Sequence, residues 1–293
     1  MSSFKNKVET EFAEKSYLSR PFVYLESEED RQIIGERWFF DDEIEFRSSG
    51  EDSGGAGGCT MVIRKVQEDK EKGINSAGLI DRDILLKDKN WDLWWETDDE
   101  KLKASQPYGD NIRILCRWEL ENYLLLEPSI VESISADQNG RSVKRPAPIP
   151  LLPDDIELLK ILTVADAICH SLGNSKVSDK MACYQGSCDE LETSLDKEGV
   201  NLDKLHDENN FVTKFSEGKE NTSTEYWNRQ SRILNGKAIL KRLNLLGGKL
   251  SDKNDFRLAL ASKIYETGSI DEEIKEYISD FRDMQVVSTS PLV

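Results

Sequence analysis

Long apolar runs are missing from this sequence of 293 residues, which has no uninterrupted stretch of the roughly 18–20 apolar residues that a membrane-spanning helix needs. The first residues, Met1 to Lys5, lack the apolar core of a secretory signal peptide. Cysteine is also scarce: five cysteines, odd in number and irregularly spaced, argue against a disulfide framework. These absences predict a protein of the reducing cytoplasm with no membrane-embedded part.

Positive charge is outnumbered, with 39 Lys and Arg residues against 56 Asp and Glu residues and a formal net charge of −17. A protein that holds nucleic acid by charge alone is basic, because Lys and Arg supply the contacts to phosphate. An acidic chain can still cleave nucleic acid where divalent metal ions neutralise the site and a local basic patch guides the backbone. The composition therefore disfavours a nucleic-acid coat protein. It is compatible with a nuclease, or with docking on a basic partner.

Short β-prone runs alternate with segments of helical periodicity in the first part of the chain. Strands joined by helices form parallel sheets, because the crossover returns the chain to the same end of the sheet. We therefore expect an α/β fold with a central parallel sheet flanked by helices. One helix is predicted from Glu28 to Phe40, with Ser27 as its N-cap. The predicted strands are Phe22–Leu25, Glu43–Phe46, Ala77–Ile80 and Ile112–Leu115.

The second part of the chain has mainly helical character. Prolines and polar residues from Asp137 to Pro153 indicate a boundary. We predict a catalytic core over residues 1–135 and a mainly helical region over residues 136–293 that closes onto the core. Residues 174–225 are polar, acidic and poorly periodic, which predicts an inserted or mobile region. The predicted helices are Asp155–Ser171, Ile233–Leu246, Asp255–Tyr265 and Ile270–Phe281.

Acidic side chains directly follow two of the predicted strands. Glu26 follows the first strand, Asp81 follows the third, and Asp83 lies two residues further on. Ligands of parallel sheets bind beyond the carboxyl ends of the strands, so Glu26 and Asp81 are expected at one edge. Carboxylate oxygens hold Mg²⁺, which can promote phosphodiester cleavage. A lone Asp-x-Asp is more often a solvated turn, so the strand-end placement is what favours a metal site.

Four short segments stand out: Tyr24–Asp30, Gly78–Asp83, Arg117–Leu125 and Gly236–Leu240. Together they resemble the motifs of TOPRIM proteins. The first is a strand that ends in a glutamate before a helix, and the second is an Asp-x-Asp strand. The third is similar to the arginine and Glu-Asn-Tyr signature of a TOPRIM-like subgroup, and the fourth to its late Gly-Lys element. The resemblance spans most of the chain apart from residues 174–225, and the two middle motifs are the most specific.

The resemblance implies roles for individual residues in a TOPRIM-like fold. Glu26, Asp81 and Asp83 would be the catalytic carboxylates and the ligands of Mg²⁺, with Mn²⁺ as a possible substitute. Glu121 would contribute to a second metal position, and Lys237 would stabilise the phosphate during the reaction. Two further cations, Arg117 and Lys241, are candidates for contacts to the substrate backbone.

The resemblance also implies a biological setting. It is closest to effector nucleases of anti-phage defence, which act as toxins on tRNA. Such an effector is held inactive by an ABC-type ATPase partner and is released when a phage anti-restriction protein is sensed. A released effector could form a homodimer. The expected enzyme is thus a cytoplasmic, Mg²⁺-dependent endoribonuclease.

Other interpretations stay open at the level of sequence. The chain could be a regulatory subunit that docks through its acidic surface without cutting, or it could cut DNA. Arg117 and Glu121 have the spacing of a simple helical ion pair, which is the commoner origin of such a pattern. Lys237 could be a solvated lysine near the start of its helix.

Overall fold

Four strands form a parallel sheet in the computed structural model, which describes residues 21–50, 57–138, 151–173, 181, 184–217, 222–247 and 253–284. The strand order is β2-β1-β3-β4, and β1 pairs in parallel with both β2 and β3. The α/β class and the parallel sheet are therefore confirmed. The strands are β1 (Phe22–Leu25), β2 (Glu45–Ser48), β3 (Ser76–Ile80) and β4 (Ile112–Ile114).

The chain divides into two compact units that are discontinuous in sequence. The first unit comprises Met1–Ile80, Gln106–Arg113 and Asp271–Val293, and the second comprises Asp81–Ser105 and Ile114–Ile270. The predicted boundary between residues 135 and 136 would divide the chain at one point only, and it remains a prediction. Among the described residues, no helix is long and apolar enough to cross a membrane.

Three helical elements of the first unit lie between β1 and β3. Helix α1 (Glu28–Arg31) continues into a π-helical segment, Gln32–Trp38, and α2 (Cys59–Glu71) packs on β1 and β3. The predicted helix from Glu28 to Phe40 is thus confirmed as far as Trp38, and from Gln32 onward it is a π-helix. A Cβ on Gly35 would lie 2.9 Å from Phe46 Cβ, so this turn passes directly against β2.

The last helix, α14 (Glu272–Asp283), also belongs to the first unit. Its buried face consists of Ile274, Tyr277, Ile278 and Phe281, which recur at helical spacing. Asp271 caps the helix, because its carboxylate accepts a hydrogen bond from the Glu273 N–H at 3.0 Å. The predicted helix Ile270–Phe281 is confirmed with bounds shifted by two residues.

The second unit is helical and is built around α8 (Pro153–Ser171), most of whose residues are buried. The predicted helix at this place is confirmed, with Pro153 in the first turn, where the missing N–H costs nothing. The remaining helices are α3 (Ile84–Lys87), α4 (Trp91–Trp94), α5 (Asp99–Ser105), α6 (Leu120–Leu124), α7 (Pro128–Gln138), α9 (Cys188–Lys197), α10 (Leu202–Ser216), α11 (Ser223–Gln230), α12 (Gly236–Gly247) and α13 (Lys253–Glu266).

Two of these helices correct the interpretation of residues 174–225 as a poorly periodic insertion. Within the described part, α9 and α10 both pack on α8. They do so through a small apolar set, in which Leu191, Leu195, Leu205 and Val212 are fully or almost fully buried. The many polar residues around this narrow apolar stripe obscure the helical period, because a surface helix needs only one buried face.

Gly78 of β3 is required by the close packing of α2 on the sheet. A Cβ at this position would lie 2.5 Å from Val62 Cγ1 and 2.9 Å from Ile112 Cδ1. We expect Gly78→Ala to lower the free energy of unfolding by about 1–3 kcal/mol, because the added methyl overpacks the core. Urea denaturation followed by circular dichroism measures this difference.

The double variant Gly78→Ala/Val62→Ala tests the cause. Val62→Ala alone leaves a cavity, whereas in the double variant the new methyl occupies part of that space. The double variant should therefore lose clearly less free energy of unfolding than the sum of the losses in Gly78→Ala and Val62→Ala. Additive losses would contradict the proposed contact.

Candidate functional site

The backbone of Glu26 is fixed where it leaves β1. Its carbonyl oxygen accepts hydrogen bonds from the Gly58 N–H at 3.0 Å and from the Ser49 hydroxyl at 2.9 Å. Gly57 lies so close to Glu26 that a Cβ on this glycine would be 2.2 Å from the same carbonyl oxygen. Gly57 and Gly58, directly before α2, therefore pack against the residue that the motif singles out.

The carboxylate of Glu26 is also held. Its Oε1 accepts a hydrogen bond from the thiol of Cys59 at 2.8 Å, and Cys59 is the first residue of α2. Both side chains are partly exposed. The sequence analysis missed Cys59, because the two residues are 33 positions apart and no pattern relates them.

Ser27 caps α1 as predicted. Its hydroxyl accepts a hydrogen bond from the Asp30 N–H at 3.1 Å, and the Ser27 N–H donates to the Asp30 carboxylate at 3.1 Å. This reciprocal capping box satisfies two backbone N–H groups that the helix leaves unpaired. The chain direction directly after Glu26 is therefore set by side-chain hydrogen bonds.

Asp81 directly follows β3, and its side chain reaches the start of α6. Its Oδ1 accepts a hydrogen bond from the Leu120 N–H at 3.2 Å. Asp83 precedes α3 and makes no capping hydrogen bond there. Since β1 and β3 are adjacent and parallel, Glu26 and Asp81 each follow the carboxyl end of neighbouring strands, as the sequence predicted.

Arg82, between the two aspartates, is fully buried. Its guanidinium donates hydrogen bonds to the carbonyl oxygens of Cys116, Trp94 and Glu96, each at 2.7 Å, and of Leu93 at 3.1 Å. Burial lowers the pKa of Arg82 to about 10, and the group is still charged at neutral pH. Arg82, for which no role was predicted, ties together the segments around the Asp-x-Asp motif.

Lys237 is partly exposed and forms ion pairs with two glutamates. Its Nζ lies 2.7 Å from Glu119 Oε2 and 3.4 Å from Glu121 Oε1, and its backbone N–H donates to Glu119 Oε1 at 2.7 Å. Both glutamates are buried, and Glu121 also pairs with Arg257. A Cβ on Gly236 would lie 2.8 Å from Glu121 Cβ, so the glycine permits this approach. The Gly-Lys element therefore completes a buried ion-pair network.

Arg117 and Lys241 lie in the second unit. The Arg117 guanidinium donates to the Asn228 carbonyl at 3.2 Å and lies 5.7 Å from the centre of the Tyr123 ring. Arg117 precedes α6, and Glu121 pairs with Lys237 and Arg257, so the simple ion pair within one helix was the wrong alternative. Lys241 is half-buried, one turn after Lys237 on α12.

The donor chemistry of the candidate carboxylates suits a hard divalent cation. Glu26 belongs to the first unit, and Asp81 and Asp83 belong to the second. Their oxygens are the ligands that Mg²⁺ and Mn²⁺ prefer. Over the described ranges of residues 21–284, no three His, Cys, Asp or Glu side chains form a group that could hold a metal ion. The carboxylates thus match a hard divalent cation by the type of their ligand atoms.

No protein-family model matches this chain, and no curated protein matches its sequence significantly. The likeness to TOPRIM proteins rests on the four motifs alone. Their residues occupy structured positions: two strand ends, the start of α6 and the start of α12.

Removal of the Arg82 side chain should be strongly destabilising. Arg82→Ala removes a hydrogen-bond donor from four carbonyl oxygens, of which only that of Leu93 is shown with a backbone donor as well, and we expect the free energy of unfolding to fall by about 3–5 kcal/mol. Urea denaturation measures it. The matched control is Arg64→Ala on the exposed face of α2, for which we expect a change below about 0.5 kcal/mol. Equal effects of the two substitutions would contradict the role of Arg82.

Removal of the Lys237 charge should destabilise the fold, because this charge neutralises the buried carboxylates of Glu119 and Glu121. We expect Lys237→Met to lower the free energy of unfolding by about 2–3 kcal/mol, a value reduced by the partial exposure of the lysine. In the double variant with Glu119→Gln, one buried charge disappears as well. The double variant should then lose less than the sum of the two single losses.

Proposed function

We propose that this chain is a metal-dependent nuclease of the TOPRIM type that cleaves RNA. The observation that carries the proposal is the position of two motif carboxylates, Glu26 and Asp81, directly after the adjacent parallel strands β1 and β3. Asp83 follows within the same motif. Ligand sites in sheets of this kind favour that position.

In this proposal Glu26, Asp81 and Asp83 would hold Mg²⁺, or Mn²⁺ in its place. The bound ion would neutralise the charge that develops on the phosphate. Arg82 keeps the two aspartates on a rigid segment, through its four carbonyl acceptors. Glu26 keeps its position through the contacts of its carbonyl and carboxylate groups.

Cationic side chains of the second unit would bind the substrate. Lys237, partly exposed beside Glu119 and Glu121, would face the phosphate, and Arg117 and Lys241 would contact the nucleic-acid backbone. Glu121 is buried and bound to Arg257 and Lys237. We therefore assign Glu121 to holding Lys237 in preference to a second metal ion.

The substrate and setting follow from the resemblance. Among TOPRIM-like effectors the motifs most resemble those of AriB, the effector of the PARIS anti-phage system. The chain would then be a tRNA-cleaving toxin that the ABC-type ATPase AriA holds inactive until a phage anti-restriction protein is sensed. The net charge of −17 supports docking on a partner through electrostatic attraction. A homodimer is the proposed form after release.

Expression in cells tests this function directly. Wild-type chain, Glu26→Ala and the control Glu71→Ala, an exposed glutamate at the end of α2, are expressed with and without the ATPase and a phage trigger. We expect growth arrest and shortened tRNA with wild type and with Glu71→Ala. Glu26→Ala should abolish both effects by more than about a hundredfold, because a metal ligand is lost. Small RNA resolved on a gel provides the measurement.

The second candidate is a regulatory subunit that docks without cutting. One observation favours it: the acidic net charge of −17. It predicts a salt-sensitive complex with a basic partner and intact tRNA under every condition. Intact tRNA with ATPase, trigger and metal all present would reject the nuclease. Cleavage of DNA with tRNA intact would instead reject RNA as the substrate.

A further inference from the structure

Three aromatic rings of the second unit, here called the aromatic stack, lie outside the four motifs and pack on one another. The rings of Trp91 and Trp95 have centres 6.4 Å apart and an angle of 27° between their planes. Phe211 of α10 stacks on Trp95, with centres 5.6 Å apart and an angle of 13°. The indole N–H of Trp95 donates to Glu208 Oε2 at 2.6 Å, which holds the middle ring in place. Trp95 is buried, whereas Trp91 and Phe211 are partly exposed.

A lysine lies beside each partly exposed ring of the aromatic stack. Lys204 Nζ is 4.3 Å from the centre of the Trp91 ring, and Lys214 Nζ is 4.5 Å from the centre of the Phe211 ring. Both lysines extend from α10 on flexible stems. The attraction between an ammonium group and a ring is weak at an exposed site, because water competes for the charge. A ligand that brings both a flat ring and a negative charge can therefore take the place of each ammonium group and bind it as well.

The aromatic stack is connected to the Asp-x-Asp motif through Arg82. The Arg82 guanidinium donates hydrogen bonds to three carbonyl oxygens within residues 93–96, the segment that contains Trp95. Its Cζ also lies 5.4 Å from the centre of the Phe215 ring, one turn after Phe211 on α10. Both elements that carry the stacked rings thus contact the residue between Asp81 and Asp83. A ligand on the aromatic stack would be bound next to this part of the candidate site.

We propose that the aromatic stack and its two lysines bind unpaired nucleotides of RNA. Bases would stack on Trp91 and Phe211, while Lys204 and Lys214 bind the neighbouring phosphates. The choice of RNA as the ligand rests on the proposed function, but the binding itself needs no metal ion. Stacking of a base on an aromatic ring does not depend on the net charge of the protein, and every base has a face that fits. A chain with a net charge of −17 can therefore hold RNA with few cations.

The alternative occupant of this surface is a protein. The acidic net charge would attract a basic partner, but the charged groups beside these two rings are both ammonium groups. An anionic ligand with flat rings matches this place better than a basic protein does. RNA has both properties in each nucleotide, and its unpaired bases have open faces that a duplex hides.

The chain offers matched variants for a test. Trp91→Phe keeps a ring at its position, whereas Trp91→Leu and Phe211→Leu remove a ring and keep an apolar side chain. Lys204→Met and Lys214→Met remove the charge and keep most of the stem. Tyr265→Leu is the control, because Tyr265 is an aromatic residue of α13 outside the aromatic stack, with 41% of its surface exposed.

The measurement is the binding of a labelled single-stranded RNA of about 12 nucleotides to the purified full-length chain, followed by fluorescence anisotropy. EDTA is present, so that no metal-dependent cleavage occurs, and the unfolding midpoint in urea is recorded for each variant. We expect Trp91→Leu and Phe211→Leu each to weaken binding about tenfold, and Trp91→Phe to stay within about threefold of wild type. Tyr265→Leu should bind as wild type does. Duplex RNA of the same sequence should bind at least about tenfold more weakly than the single strand.

The dependence on salt measures the part of the lysines separately. With two phosphate contacts, the logarithm of the affinity should fall against the logarithm of the salt concentration with a slope of about −1.4. Lys204→Met and Lys214→Met should each reduce this slope to about −0.7. Because these two variants leave the rings intact, they keep the test decisive if a leucine variant fails to fold.

The outcomes separate this inference from the proposed function. Folded Trp91→Leu and Phe211→Leu chains that bind RNA like wild type would overturn the inference, as would duplex RNA that binds as tightly as the single strand. If the same two substitutions weaken the complex with the ATPase and leave RNA binding unchanged, the rings form a protein interface and the inference is wrong. Wild-type chain that binds no single-stranded RNA also overturns it. In each of these cases the cleavage of tRNA in cells decides independently whether the nuclease proposal stands.

Discussion

The buried guanidinium of Arg82 is the interaction on which the second unit most depends. A charge without solvent is stable only where acceptors replace water, and four carbonyl oxygens from residues 93–96 and 116 do so here. Without the arginine these carbonyls would lose a donor, and the Leu93 carbonyl would keep the Glu96 N–H. One side chain therefore fixes the segment after β3, the short helix α4 and the approach to α6. The hydrogen bonds of Arg82 therefore hold the backbone segment that contains Asp81 and Asp83.

Two of the motif carboxylates, Glu26 and Asp81, accept a hydrogen bond from a donor within their own unit. The Cys59 thiol donates to Glu26, and the Leu120 N–H donates to Asp81. A carboxylate that is oriented before it meets its ligand binds with less loss of side-chain entropy. Donors of this kind are modest individually, but they decide which rotamer is populated. The supporting residues are therefore as much a part of the candidate site as the acids.

The sequence predicted what depends on local pattern. β1 and β3 were found because apolar runs end at Glu26 and Asp81, and α8 because its apolar residues continue for five turns. The π-helical form of Gln32–Trp38 was not predicted, and the contact of Gly35 with Phe46 lies between residues eleven positions apart, with no local signal. Pairs such as Glu26 with Cys59, or Glu119 with Lys237 at 118 positions apart, have no local signal. Only the folded chain brings them together.

The distribution of cations narrows the choice between the two candidate functions. Three arginines are largely buried and bound to internal acceptors: Arg82, Arg242 and Arg257. Lys237 is partly exposed and forms ion pairs with two glutamates. A chain with a net charge of −17 therefore presents still fewer cations to a phosphate backbone than its composition suggests. Cleavage by such a surface requires divalent metal to supply the missing positive charge, whereas docking on a basic partner requires none. Metal binding at Glu26 is consequently the property that separates a nuclease from a docking subunit.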